Sequence, residues 1–184
     1  MKDEGGMTVQ PRRFVIEAVM LAVYGHLLVP KRPVEFLIPY STIMELYEMR
    51  DSEDHVMADL EEDRLAKQQI TALIAFFENE LNQKKINRAL SVPWRNSSPL
   101  LLQDNVSIIV VNALDNMGYG ESFDPIETEL VLTSMREQVP LLTDQLEYVA
   151  RIIEYEVPVP IYDIEDFEYA LEQELSQQDW NTNT

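Results

Sequence analysis

The chain predicts an α/β protein of three layers, with a central, mostly parallel sheet flanked by helices. Three observations carry that expectation. Short apolar runs alternate with helical stretches through the second half of the chain, the pattern of strands joined by helical crossovers. Val106–Val111 is β-branched on most positions, as suits a strand buried on both faces. Acidic residues mark the points where apolar runs break into helix, at Asp124, Asp144 and Asp163. Those junctions line the strand C-terminal edge, where parallel sheets bind ligands.

The elements follow in order. Residues 1–11 carry Gly5, Gly6 and Pro11 with few apolar groups and are expected to form a disordered leader. Residues 14–28 are apolar almost throughout, and periodicity alone does not separate a buried helix from a strand running into a helix. Pro30 and Pro33 mark a turn before a strand over 34–38, closed by Pro39 and followed by a helix over 40–49. The acidic stretch 51–63 reads as a loop leading into a helix over 61–81. In that helix Leu65, Ile70, Leu73, Ile74, Phe77 and Leu81 recur mainly at three and four, predicting a buried stripe. A second helical piece covers 84–90, and 93–99 is a loop between prolines. After the strand Val106–Val111, Gly118 and Gly120 make 115–121 a flexible loop. Helices over 125–138, 145–154 and 164–175 then alternate with strands over 139–142 and 157–161. The expected organisation is a single domain over 12–175 with a polar tail over 176–184.

Composition narrows the function classes. Hydrophobic residues make up 46% of 184, enough for a real core. The absence of cysteine excludes disulfides, thiolate metal sites and a cysteine nucleophile. No apolar stretch is long enough to span a membrane, and no secretory signal pattern opens the chain, so a cytoplasmic location is expected. The net charge of -19, from 33 acidic and 14 basic residues, opposes broad contact with a phosphate backbone. One basic stretch, Lys84, Lys85, Arg88 and Arg95 beside Trp94, reads as a local groove or, more simply, as a solvated helix end whose cations favour the helix dipole. No GxGxxG or Walker loop is present. His26 and His55 are too few and too isolated for a zinc site, and His26 is expected in the core.

Four helix starts share one pattern: Thr42 with Glu45, Asp124 with Glu127, Asp144 with Glu147 and Asp163 with Asp166. The first of each pair can cap the helix and the second can return a hydrogen bond, an arrangement worth about 1 kcal/mol per cap. Pro125 suits a first helical position. Capping explains most of these acids without chemistry. Glu17 is different. It stands between Ile16 and Ala18 in an apolar run, where an ionised carboxylate needs a partner. The partner is a salt bridge to Arg12 or Arg13, or a functional site with a metal. Glu127 likewise sits close to the side that Ile126 and Leu130 bury.

With these residues in hand, the chain resembles the PIN domain family over residues 15–171. Residues 15–21 look like the family's first strand and its acid, here Glu17. Residues 38–46 look like the strand, proline and helix of the second motif, with Glu45. Residues 126–130 look like the third, with Glu127, and 140–148 like the fourth, with Asp144. Residues 157–161 match the edge strand. The resemblance implies a central parallel sheet and, in nuclease members, acids gathered around Mg²⁺ or Mn²⁺. Glu replaces Asp at the first and third of these positions. Two functions are therefore expected in competition. One is a PIN-like module without robust nuclease activity that binds a protein partner, homo-oligomerisation being left open, with nucleic acid not expected as a partner and no membrane. The other is a Mg/Mn-dependent ribonuclease or phosphoesterase holding its metal through Glu17, Glu45, Glu127 and Asp144. Met20, Met44, Met49 and Met57 could line an adaptable contact or fill the core.

Overall fold

The apolar run near the start of the chain is a strand running into a helix. Strand β1 covers Arg12–Ile16 and helix α1 covers Ala18–Val23, with Glu17 between them in extended backbone as the N-cap. The computed structural model describes residues 10–114 and 121–172. The expected loop from Asp115 lies mostly outside the described residues, as do most of the expected leader and the whole polar tail. After a 3-10 turn at Gly25–Leu28 come β2 (Val34–Pro39), α2 (Tyr40–Asp51), α3 (Leu60–Glu78), α4 (Glu80–Leu90), β3 (Leu100–Gln103) and β4 (Val106–Val111). The second half holds α5 (Pro125–Glu137), β5 (Leu141–Leu142), α6 (Leu146–Glu154), β6 (Ile161–Tyr162) and α7 (Ile164–Glu172).

Among the described residues the six strands form one sheet in the order β3-β4-β2-β1-β5-β6. All neighbouring pairs are parallel except β3 and β4. β3 was not foreseen; it pairs antiparallel with β4 across the tight turn at Asp104 and Asn105, with an irregular register between Leu101 and Gln103. The last two expected strands are corrected: of 139–142 only Leu141–Leu142 is strand, and of 157–161 only Ile161, which pairs together with Tyr162. Pro140, Pro158 and Pro160 lack amide hydrogens and cannot donate to a ladder, and the amides of Val139, Val157 and Val159 donate to Ser134, Ile152 and Val157 instead.

Alternate side chains of the central strands enter two separate cores. Phe14, Ile16, Phe36, Ile38, Ile108 and Val110 pack on one face together with residues of α1 to α4 and α7. Val15, Leu37, Ile109 and Val111 pack on the other with residues of α5 and α6. The sheet is thus buried on both sides, and the molecule has three layers. On α3 the buried stripe is Ala66, Ile70, Leu73, Ile74 and Phe77. The expectation for Leu65 and Leu81 was wrong, since they are 52% and 62% exposed. Leu65 lies one position off the stripe. Leu81 follows a break at Asn79, which ends α3 and caps α4 by accepting from the Leu81 amide.

Candidate functional site

Strand order decides where a site can form. β1 connects through α1 on one face, whereas β5 connects through α6 on the other, so the crossover direction reverses between these two adjacent strands. The crevice beyond their C-terminal ends is the switch point of a doubly wound sheet. Glu17 ends β1 there, and Thr143 and Asp144 end β5.

Glu17 is 3% exposed, and its carboxylate is held by neutral donors. Oε1 accepts from the Thr143 hydroxyl at 2.7 Å and Oε2 from the Gln145 amide at 2.8 Å. The expected salt bridge to Arg13 is absent, because that guanidinium lies between Glu35 at 2.9 Å and Glu137 at 3.0 Å. Burial pushes Glu17 up to about 8, helped by the charges of Asp144 and Glu45, against the lowering effect of the Thr143 hydrogen bond. Glu45, one helical turn inside α2, is pushed up to about 7 by burial and by the charges of Asp124, Glu48 and Glu127. One oxygen of Glu45, Oε2, is buried with no hydrogen-bond partner.

The other two candidate acids are each bound to a protein donor. Asp144 accepts from the Tyr24 hydroxyl, and that acceptor, followed by burial and the nearby negative charges, pushes Tyr24 up to about 12. Glu127 is paired with Arg151 and also accepts from the Asp124 amide at 3.1 Å. Arg151 lies 6.0 Å from the ring centres of both Phe123 and Tyr148. The fields of the four acids overlap in sequence, Asp144 on Glu17, Glu45 on Glu17 and Glu127 on Glu45. Yet among the described residues no three of His, Asp and Glu form a group that could hold a metal ion.

The capping expectations divide. Asp124 and Glu127 form a reciprocal capping box, and Asp163 and Asp166 exchange bonds of 2.8 and 3.3 Å. Thr42 does not cap; α2 starts at Tyr40, which leaves Thr42 inside the helix, buried and with its hydroxyl unpartnered. Asp144 does not cap α6 either, because Gln145 holds that position and Asp144 is turned to Tyr24. His26 is exposed rather than in the core, 3.8 Å from Glu168. In the basic stretch Lys84 pairs with Glu80, and Lys85 donates to the Pro99 carbonyl at 2.8 Å.

Tyr24, Thr143, Gln145 and Arg151 were not foreseen as site residues. Thr143 and Gln145 flank Asp144 in sequence, which was a usable signal. Nothing local announces Tyr24 or Arg151, whose partners lie 120 and 24 residues away. Comparison with known proteins shows no matching family model and no matching curated protein.

Proposed function

We propose that the protein is a PIN-like module that binds a protein partner and has no working nuclease centre. The observation that supports this reading is the commitment of the carboxylates. Glu17 is bonded to Thr143 and Gln145, Asp144 to Tyr24, and Glu127 to Arg151. Mg²⁺ and Mn²⁺ need carboxylate oxygens free to coordinate, and a guanidinium already neutralising one of them competes with the ion. As arranged, these three acids do not fit a resident ion, so no catalytic step is derived through one. The net charge of -19 adds repulsion against any nucleic-acid substrate.

One observation favours the second reading, a Mg/Mn-dependent phosphoesterase. Glu45 buries an oxygen without a partner beside other acids, a situation that a cation would relieve. That reading requires Tyr24, Gln145 and Arg151 to release their carboxylates. A bound ion would then supply an activated water.

Calorimetric titration with MnCl₂ and MgCl₂, paired with anisotropy of labelled single-stranded RNA, separates the two. The module reading expects no metal binding at millimolar concentration and no RNA binding at physiological salt. Tight Mn²⁺ binding that disappears in both Glu45→Gln and Asp144→Asn would overturn it.

A further inference from the structure

Helix α6 has two apolar faces, and among the described residues only one is packed. Tyr148 and Ile152 point into the core and are each 1% exposed. On the opposite side Leu146 is 83% and Ile153 67% exposed. Ala150 is exposed and Val149 half-buried between them, so the four residues form a stripe at i, i+3, i+4 and i+7. A helix with apolar residues on both faces is normally covered on both.

The residues around the stripe state the chemistry of what covers it. Glu147 and Glu154, both exposed and seven residues apart, run as a parallel row along one flank. Asp144 precedes the helix and Glu156 follows it, both exposed. The one basic residue between 143 and 156 is Arg151, and it is turned to Glu127. We infer that the outer face of α6 docks an amphipathic helix of a partner protein whose apolar ridge is flanked by Lys or Arg. This rests on the reading of the protein as an interaction module and names its partner's chemistry.

Other occupants fit less well. A second copy packed face to face would bring its own acid row against this one, on chains of net charge -19 each. Residues 173–184 contain no Lys or Arg with which to meet the row. Docking here would also touch the back of the helix that holds the site, since Gln145 and Arg151 carry the bonds to Glu17 and Glu127.

The test uses the full chain and a labelled synthetic helix of about four turns, with Leu at i, i+3, i+4 and i+7 and Lys along one flank. Saturable binding in anisotropy is expected, weakened about tenfold or more by Ile153→Ser and falling with added salt. The double variant Glu147→Lys with Glu154→Lys should lose the Lys-flanked peptide and gain one flanked by Glu. All three positions are exposed, and circular dichroism checks that each variant is folded. No binding, or binding unchanged by these substitutions, overturns the inference. So does a sedimentation experiment in which the chain self-associates and Ile153→Ser abolishes it. The metal titration is read separately: a chain that ignores both peptide and Mn²⁺ loses this surface but keeps the module reading. Tight Mn²⁺ binding removes that reading whatever the peptide does.

Discussion

Replacing Glu17 with Gln should change the pH dependence of stability more than the stability itself at low pH. In the unfolded chain Glu17 ionises near 4.5, and in the folded protein burial and the charges of Asp144 and Glu45 raise this to about 8. Between those values the native state keeps a proton that the unfolded state releases. The group's favourable contribution is therefore whole below pH 4.5, falls as pH rises and is gone above about 8. The window spans roughly 3.5 pH units, and at about 1.4 kcal/mol per unit the ceiling is about 5 kcal/mol. Glu17→Gln keeps the shape and neutrality of the protonated acid; its amide oxygen can still accept from Thr143, and its NH2 can donate to the Gln145 oxygen once that side-chain amide turns over. Urea denaturation of both proteins from pH 5 to pH 9 measures the difference, which cancels the background of the other acids. The variant should be within about 1 kcal/mol of the parent at pH 5 and gain on it by about 3 kcal/mol or more by pH 8. A difference that stays constant across the range, or moves in the parent's favour as pH rises, would refute the placement of a buried, repelled carboxyl at this strand end.

The remaining predictions concern single contacts. Glu156 sits at φ 50 just past α6, where Val157 donates to the Ile152 carbonyl at 3.0 Å and Glu156 to Ile153 at 3.1 Å, a helix end that favours glycine. Glu156→Gly should stabilise the protein by about 0.5–1 kcal/mol in thermal or urea unfolding. Tyr148→Phe removes a buried donor 2.7 Å from the Glu127 carbonyl and should cost about 1 kcal/mol in the same assay. Asp63 ties the loop before α3 by accepting from the Val56 and Met57 amides at 2.6 and 3.2 Å and facing His55 at 2.9 Å, and the His55 contact holds its carboxyl down at about 2. Asp63→Asn should speed hydrogen exchange at the Val56 and Met57 amides at neutral pH. That gap should close as pH falls from the usual aspartate value of 3.8 through 2, because the parent's carboxylate is then protonated as well.

The sequence by itself determined the fold class and most helices, because those depend on short-range pattern. Periodicity placed α3, β-branching placed β4, and the Asp124 and Glu127 spacing placed the start of α5 together with its capping box. The unusual position of Glu17 was also legible, as an acid with apolar neighbours on both sides. Only the tertiary structure decided what Glu17 touches. Its partners Thr143 and Gln145 lie 126 and 128 residues away, brought near because β1 and β5 are adjacent across the switch point. The same holds for the edge hairpin of β3 and for the short β5 and β6, where register and proline limit the pairing that the apolar runs suggested. It holds again for α6. Its composition announces an apolar helix, but which stripe is buried, and which is left to face outward beside a row of glutamates, follows from the side of the sheet on which the helix lands. A carboxylate's role depends on the donors within about 3 Å of it, and chain order does not encode that distance.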